Sequence, residues 1–278
     1  MKILNFGSLN IDYVYRVQDF VKGGETIHAD TMQKNIGGKG LNQSIALARA
    51  GAAVYHAGCV GADGAFLVDY LKENGVDTRY IAETDTPTGH AIIQIDQNGQ
   101  NCIIIHGGAN TQITTDHIDA VLLQNEINNS RYIIERAHEK GITVIVNPSP
   151  VTHLDMPLDK VDYFLLNEHE AAALFGESET EAVLEAMHTR YPNATFILTL
   201  GAEGAIYTDA ATTVRGAAVP TEVKDTTAAG DTFTGYVLHA LFSGADPKTA
   251  LQTAAKASSI TVSRHGAAQT IPYASELV

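Results

Sequence analysis

The chain has 278 residues, of which 45% are hydrophobic and 18% charged, and its formal net charge is −14. The composition is typical of a globular protein, and the scattered lysines disfavour nucleic acid as a partner. The lack of a long apolar run and of a basic-then-apolar leader disfavours a membrane span and secretion. We therefore expect a cytoplasmic protein in which Cys59 and Cys102, both in apolar strand-like runs, are buried and reduced.

The first half of the chain contains mostly strand patterns, with two helix patterns between them. Lys2–Phe6 is predicted to be a buried strand and 11–17 a more exposed one. A glycine-rich polar segment then leads into a helix of small residues that ends at Gly51, and a further strand and helix follow. Two β-rich runs around Asn98 and Gly99 predict a β-hairpin.

From residue 121 onwards, strand and helix patterns alternate. A strand at 121–126 precedes a helix at 130–140, and the last long helix is capped by Asp246 and begins at Pro247. Such alternation predicts an α/β fold with a doubly wound, mostly parallel sheet flanked by helices.

Two helix-poor segments, about residues 11–36 and 88–106, do not fit this alternation. We interpret them as a small β-sheet that forms a lid on a single domain of residues 1–278. One join is also unusual, because a threonine-capped helix pattern over 116–119 passes into the strand at Val121 without a turn residue. This join indicates either a deleted loop or a segment missing near Val121.

The first candidate site is the sequence "DTTAAGDTF" at 225–233. Ala228, Ala229 and Gly230 would present bare backbone N–H groups at the start of a helix, where phosphate binds well. A carboxylate directly after them, Asp231, would normally repel phosphate, so its placement needs a reason. A role as the general base for a hydroxyl nucleophile gives one. The alternative is purely structural: an acid in the first helical turn stabilises the helix dipole, and the glycine permits a tight turn.

The second candidate site is "NIGGKGLNQS" at 35–44, which lacks the spacing and the Ser or Thr of a P-loop. The glycines could let a polar ligand approach the backbone, with Lys39 and Asn42 as donors. The alternative is a flexible loop before a tightly packed, small-residue helix.

Further polar residues lie at strand ends. Asn10 and Asp12 share one face of a strand, and Glu126 ends an apolar strand. Asn167 and Glu170 lie three residues apart at a strand-to-helix turn, which suits Mg²⁺ or phosphate oxygens. For this pair a helix N-cap with its capping-box partner explains the spacing equally well.

Together these segments resemble the ribokinase-like, or PfkB-type, family of carbohydrate kinases over almost the whole chain. The N-terminal motif matches at Gly37, Gly38, Gly40, Asn42, Ser44, Gly51 and Gly61. The C-terminal motif is "DTTAAGD" followed by Gly235. It departs from the family at Tyr236, where a small residue is usual. Within the family, both motifs are most similar to those of ribokinases.

The resemblance implies a role for each matching residue. Asp231 would be the catalytic base, with Ala228, Ala229 and Gly230 as the anion hole. Sugar hydroxyls would be held by Asn10, Asp12, Gly38, Lys39, Asn42 and Glu126. The nucleotide would contact Asn167, Thr199 and Gly201, and Glu170 would bind Mg²⁺ through water. K⁺ would activate the enzyme by binding a monovalent-cation loop, which would comprise Asp225, Thr227, Thr261, Arg264, Gly266 and Thr270. Ala254 occupies the position of a histidine that ribokinases often place against adenine.

The activity implied is ATP-dependent phosphorylation of the primary hydroxyl of a pentose, D-ribose above all. The lid hairpin has exposed edges that a second lid could cover, so we expect a homodimer joined through the lid. The alternatives are a kinase for deoxyribose or a ketohexose and a non-catalytic sugar-binding relative. A dinucleotide oxidoreductase is disfavoured, because the early glycines do not follow the first strand in GxGxxG form.

Overall fold

The computed structural model of the protein describes residues 2–112 and 121–277. Its strands are β1 (Lys2–Phe6), β2 (Asn10–Arg16), β3 (Thr31–Gly37), β4 (Ala53–Gly61), β5 (Asp77–Thr84), β6 (Gly89–Ile95), β7 (Asn101–His106), β8 (Val121–Gln124), β9 (Val144–Asn147), β10 (Tyr163–Asn167), β11 (Thr195–Thr199), β12 (Ala205–Thr208) and β13 (Thr213–Gly216). Its α-helices are α1 (Lys39–Ala50), α2 (Ala65–Glu73), α3 (Ser130–Glu139), α4 (Glu168–Phe175), α5 (Thr180–Arg190), α6 (Ala229–Phe242) and α7 (Pro247–Val262).

The main sheet has nine strands in the order β13-β12-β11-β10-β9-β8-β1-β4-β5. All neighbours from β5 to β11 pair in parallel, and only β12 and β13 add antiparallel strands at one edge. The predicted doubly wound α/β fold is confirmed. The strand order reverses between β1 and β8, and ligands of open α/β sheets bind at such a switch point, outside the carboxyl ends of the strands.

Helices cover both faces of the main sheet, and an apolar core fills each side. On β8, Leu122 belongs to one core while Val121 and Leu123 belong to the other, as the alternation of a strand requires. Helices α1, α2, α6 and α7 contribute to the first core, and α3, α4 and α5 contribute to the second. Strands buried on both faces explain the continuous apolar runs in the sequence.

A second sheet of four strands has the order β3-β2-β6-β7, with β2 and β6 parallel and the outer pairs antiparallel. Its strands fall within 10–37 and 89–106. Its role as a lid stays a prediction. Short segments connect the small sheet to the rest of the domain: residues 7–9 join β1 to β2, residues 85–88 join β5 to β6, and Gly38 alone separates β3 from α1.

Two predicted helix ends are explained by local chemistry. Gly51 has φ of 108°, a left-handed conformation that glycine adopts without strain, and α1 ends there. The side chain of Asp246 accepts hydrogen bonds from the N–H groups of Lys248 and Thr249, and Pro247 occupies the first position of α7.

Several features differ from the sequence prediction or lie beyond it. Cys59 is buried as expected, but Cys102 is exposed, because β7 is an edge strand whose side chains are all exposed. Strands β5 and β13 and helix α5 were not anticipated. The predicted helix at 116–119, and the residues that join it to Val121, lie outside the described residues. Within the described part of the chain, no helix is both long and apolar enough to cross a membrane.

Candidate active site

A cavity of about 390 Å³ lies between the small sheet and the carboxyl ends of the main-sheet strands. It is lined by residues from both sequence motifs, which are about 190 positions apart in the chain. The predicted site residues on its wall are Asn10, Asp12, Gly38, Lys39, Asn42, Glu126, Asn167, Glu170, Thr199, Thr227, Ala228, Ala229, Gly230 and Asp231. Gly201, Asp225, Thr261, Arg264, Gly266 and Thr270 do not line it.

Asp231 lies in the first turn of α6 and faces α1. Its Oδ2 accepts a hydrogen bond from Asn42 Nδ2 at 2.9 Å, and its Oδ1 accepts one from Gln43 Nε2 at 3.0 Å. Burial raises the pKa of Asp231 to about 6, although the charge of Lys39 and the two amide donors lower it. At neutral pH the side chain is therefore a carboxylate with a pKa close to that of an efficient general base.

The start of α6 forms a small, uncrowded concave surface next to this carboxylate. Ala228 is the N-cap and has φ of 61°, a left-handed conformation that is rare for alanine. The N–H of Ala229 donates to Thr226 O at 3.2 Å, and a Cβ added at Gly230 would meet nothing within 4 Å. The free N–H groups of a first helical turn, with no side chain in front of them, suit an anion.

A cluster of charged groups occupies the side of the cavity nearest the small sheet. Lys39 at the start of α1 forms an ion pair with Glu126, which also accepts a hydrogen bond from Ser8. Burial raises the pKa of Asp12 on β2 to about 7; the charge of Glu126 adds to this and that of Lys39 opposes it. Burial lowers the pKa of Lys39, but its contact with Glu126 outweighs burial and holds the pKa above the ordinary value.

Two asparagines add neutral polar groups to this side. Asn10 Oδ1 accepts a hydrogen bond from Asn110 Nδ2 at 2.8 Å. The Oδ1 atom of Asn42 is buried and has no hydrogen-bond partner within the described residues. A buried acceptor without a partner is costly, and Asn42 bears this cost while its Nδ2 atom holds Asp231. Alternating amides, carboxylates and an ammonium group can hold a polyhydroxylated molecule.

Asn167 and Glu170 form the capping box of α4 and also line the cavity. Asn167 Oδ1 accepts from the N–H of Glu170 at 2.8 Å, and Glu170 Oε2 accepts from the N–H of Asn167 at 3.1 Å. The structural alternative is therefore realised, yet the carboxylate keeps lone pairs for a hydrated ion. Among residues 2–112 and 121–277, no three His, Cys, Asp or Glu side chains cluster as metal ligands. This arrangement fits Mg²⁺, which in proteins is usually held by one or two carboxylates plus water and phosphate.

The six residues of the predicted cation loop lie together behind the start of α6. Asp225 Oδ1 accepts from Thr227 N at 2.9 Å and Oγ1 at 2.6 Å, and its Oδ2 accepts from Gly266 N at 3.1 Å. Arg264 donates to Thr270 O at 3.3 Å, and the hydroxyl of Thr261 is 3.0 Å from that of Thr232 on α6. These contacts tie the loop to the helix that carries Asp231.

A second cavity of about 570 Å³ adjoins the first and shares Thr199, Ala229 and Gly230 with it. Its remaining wall is largely apolar and includes Gly201, Val219, Pro220, Val223, Ala255, Ser258 and Val262. Its size and apolar wall suit a flat aromatic ring. Ala254 is fully buried in the core and lies in neither cavity, whereas its neighbour Ala255 lines the second one.

Sequence reasoning missed the amides that surround Asp231. Gln43 contacts Asp231 directly, and Asn147 at the end of β9 contacts Gln43 at 3.2 Å. Asn110 supports Asn10 from a segment with no sequence motif. The available signals were the position of Gln43 next to Asn42 and that of Asn147 at a strand end, where ligands of α/β sheets bind.

Three comparisons with known proteins agree with one another. A family model described as pfkB family carbohydrate kinase matches residues 1–274. A ribokinase of Schizosaccharomyces pombe is 35% identical over 303 aligned positions that cover 98% of this chain and 95% of that protein. The ribokinase structure of Cryptococcus neoformans var. grubii serotype A in complex with ADP has a TM-score of 0.90 and 32% identity, covering 99% of this chain and 98% of that one. The structure of Arabidopsis thaliana ribokinase complexed with ribose and ATP has a TM-score of 0.87 and 29% identity, covering 99% and 96%.

Proposed function

The chain belongs to the pfkB family of carbohydrate kinases, and we propose that it transfers the γ-phosphate of ATP to the primary hydroxyl of D-ribose. The observation that carries the proposal is the place of Asp231. Its carboxylate lies between the exposed first turn of α6 and the polar cluster of the small sheet, in one cavity. A base must reach both the attacking hydroxyl and the phosphate, and the position of Asp231 between the two parts of the cavity supports this role.

Asp231 accepts the proton of the primary hydroxyl as its oxygen attacks the γ-phosphate in line. The phosphoryl oxygens, where negative charge spreads in the transition state, lie against the backbone at the start of α6 from Ala228 to Gly230, and the N–H of Ala229 exchanges its bond to Thr226 O for one of them. Glu170 and Asn167 would hold Mg²⁺ through water, and the ion supplies neutralisation of the phosphate charge. The pKa of about 6 leaves Asp231 ionised at neutral pH while keeping it basic enough to accept a proton.

The acceptor sugar occupies the side of the cavity formed by the small sheet and α1. Its hydroxyl groups contact Asn10, Asp12, Gly38, Lys39, Asn42 and Glu126, all of which line the cavity. Gly38 has φ of 98°, and a Cβ there would lie 2.7 Å from Ser8 O, so only glycine fits between β3 and α1.

ATP extends from the start of α6 into the second cavity, where Thr199 and Gly201 lie on the nucleotide side. The apolar wall from Val219 to Val223 faces the adenine. Since Ala254 is buried in the core, no histidine ring at that position can stack on the base, and Ala255 contributes a small apolar contact instead.

Substitution of Asp231 by Asn tests the assignment of the base. We expect kcat to fall by about two to four decades, the usual size of general-base catalysis, while ATP affinity stays close to that of the unchanged chain. ADP release would be measured with ATP, Mg²⁺ and a panel of pentoses and hexoses. A kcat near the original value would refute the role of Asp231. Turnover of deoxyribose or a ketohexose in preference to ribose would assign that sugar as the substrate instead. No turnover of any sugar would favour a non-catalytic sugar-binding protein.

We also propose that K⁺ activates the enzyme through the loop held by Asp225, with Thr227, Thr261, Arg264, Gly266 and Thr270 around it. The loop is hydrogen-bonded to α6 through the Thr261–Thr232 pair. Thr227, which Asp225 holds, directly precedes Ala228, the N-cap of α6. A cation that orders the loop would therefore order the anion hole. Replacing K⁺ by tetramethylammonium should lower kcat, and an unchanged rate would contradict this proposal.

The whole chain is proposed to act as one cytoplasmic kinase domain with the small sheet as its lid, and to form a homodimer through that sheet. β7 is an edge strand with unpaired backbone groups, and it exposes Ile103 by 46%, Ile104 by 62% and Ile105 by 43%. Exposed apolar edge strands pair or become covered. Analytical ultracentrifugation should give twice the chain mass, and Ile104→Lys, on the face of β7 away from the cavity, should give a monomer.

A further inference from the structure

A series of buried amides leads away from the carboxylate of Asp231 into the protein. Gln43 Nε2 donates to Asp231 Oδ1, and Gln43 Oε1 accepts from Gln124 Nε2 at 2.6 Å. Gln124 Nε2 also donates to Asn5 Oδ1 at 3.0 Å, and Asn5 Nδ2 donates to Gly40 O at 2.7 Å. The side chains of Asn5, Gln43 and Gln124 are fully buried.

The direction of these hydrogen bonds is dictated by backbone carbonyls, which can only accept. Because Gly40 O needs a donor, Asn5 must present Nδ2 to it and Oδ1 to Gln124. Gln124 must then present Nε2 towards Asn5, and the same Nε2 meets Oε1 of Gln43. The remaining end of Gln43 is its NH₂ group, which faces Asp231.

A second carbonyl enforces the same orientation from another side. Leu165 O accepts from Asn147 Nδ2 at 2.9 Å, so Asn147 presents Oδ1 to Gln43 at 3.2 Å. At the far end, His56 Nε2 is 3.1 Å from Gly7 O and its Nδ1 is 2.8 Å from Ser44 Oγ, which accepts from Asn5. Burial lowers the pKa of His56 to about 4, so the ring is neutral. All these hydrogen bonds therefore require the same amide orientations, with the NH₂ group of Gln43 directed to Asp231.

The fixed orientation of the amides leaves one buried acceptor unsatisfied. The Oε1 atom of Gln124 is buried and has no hydrogen-bond partner within the described residues. Rotating the Gln124 amide would not help, because Oε1 would then face Oδ1 of Asn5 and Oε1 of Gln43. A buried acceptor left without a donor is tolerated only when the surrounding network requires it.

We propose that three buried amides, Asn5, Gln124 and Gln43, form a positioning chain that holds a hydrogen-bond donor on Oδ1 of Asp231. The proposal rests on the proposed function, in which Asp231 is the base. Asn42 already binds Oδ2, so the positioning chain fixes the second oxygen and with it the plane of the carboxylate. Its residues touch neither cavity wall, because none of the three lines a cavity. They act through Asp231 and are positioning residues.

The charges around Asp231 determine what losing this donor does. Lys39 lowers its pKa, Glu126 raises it, and Asp12 on the facing strand repels it. Glu170 faces the group from beyond Asn147, whose Nδ2 lies 3.4 Å from Glu170 Oε2. Removing a neutral donor leaves these charges in place, so Asp231 becomes easier to protonate.

The test replaces Gln43 by Met, which has a similar shape and no donor. We expect the acidic limb of the kcat profile to move up by about one pH unit, the size expected for one hydrogen bond to a carboxylate. The profile is measured with saturating sugar, because Asp12 titrates in the same range in the free protein. In parallel, ¹³C NMR of aspartate-labelled protein follows the carboxyl directly, and Asp231→Asn identifies its resonance.

Two further variants separate positioning from simple stability. Gln124→Met should shift the Asp231 titration in the same direction but less, because Asn147 still orients Gln43. Ser44→Ala is the matched control: it removes a buried hydrogen bond to Asn5, but Gly40 O still sets the direction, so the titration should not move.

A Gln43→Met protein that loses activity evenly across the pH range, with an unmoved Asp231 resonance, would overturn the proposal. So would a shift in Ser44→Ala equal to that in Gln43→Met. Failure of the proposed function looks different: Asp231→Asn would keep its kcat, or no sugar would turn over, while the NMR titration would still report the positioning chain.

Discussion

Adding one methyl group at Gly235 should disturb both the stability of the protein and its catalytic geometry. A Cβ there would lie 2.3 Å from the Cβ of Ala46 and 2.7 Å from the backbone nitrogen of Leu47. Real carbon contacts of this kind are longer than 3 Å, so α1 and α6 would have to separate by roughly 1 Å. Overpacking of this kind costs about 1–3 kcal/mol, which for a chain of this size lowers Tm by about 3–10 °C.

The same displacement reaches the active site, because α1 and α6 also form the hydrogen bond between Asn42 and Asp231, one turn before the crowded contact. Gly235 lies one turn after Asp231, and Ala46 lies one turn after Asn42, whose amide holds the Asp231 carboxylate. A misplacement of about 1 Å at reacting groups can lower the rate roughly 100-fold. Tm would be measured by circular dichroism, and kcat well below Tm.

Two variants make the Gly235→Ala result interpretable. Gly23→Ala adds a Cβ that meets nothing within 4 Å, and it should behave like the unchanged chain. Ala46→Gly in the Gly235→Ala background removes the nearest atom and should restore part of the loss, since the backbone contact to Leu47 remains. If Gly235→Ala unfolds at the original temperature with the original kcat, α1 and α6 are not packed as closely as described.

Two more predictions concern buried polar groups. The hydroxyl of Tyr236 donates a hydrogen bond to Pro272 O at 2.7 Å. Tyr236→Phe should therefore lower the free energy of unfolding, measured by urea titration, by about 1 kcal/mol and leave kcat unchanged. A lowered kcat would contradict the view that Tyr236 takes no part in catalysis. Because folding raises the pKa of Asp12 to about 7, its contribution to stability is full below the ordinary pKa of an aspartate and is lost as pH rises through 7. Asp12→Asn without ligand should therefore exceed the original chain in stability by roughly 2–4 kcal/mol at pH 8, and the difference should shrink towards pH 4. A difference independent of pH would show that Asp12 is not the titrating group.

Much of the fold follows from local sequence signals because those signals are strong here. The glycine at the end of α1, the Asp-Pro start of α7 and the alternation of strands and helices after Val121 all have direct physical causes, and the structure matches them. β5 is different: it lies half-exposed at the edge of the main sheet, so its sequence lacks the apolar run of a central strand. The exposure of Cys102 was missed for a related reason, since an apolar edge strand looks like a buried one.

The candidate site was predictable where a motif marks it and unpredictable where only tertiary contact does. Asp231 and Asn42 stand in glycine-rich segments, and the cavity brings them together. Gln124 and Asn5 lie in apolar strands, where an isolated amide carries no local signal. Their importance comes from facing each other across β8 and β1, and pairing between distant strands cannot be derived from one sequence.

The exposure of Cys102 makes the small sheet accessible to thiol chemistry without any mutation. Cys59 is buried, so a maleimide or methanethiosulfonate reagent should attach at one position per chain. Asn101 and Ile103 line the cavity, and alternation along β7 directs Cys102 to the opposite face, where a label leaves the cavity open. In an assembly of two chains, a nitroxide at Cys102 becomes a pair of spins, and their dipolar distance would report both association and any movement of the sheet when sugar binds.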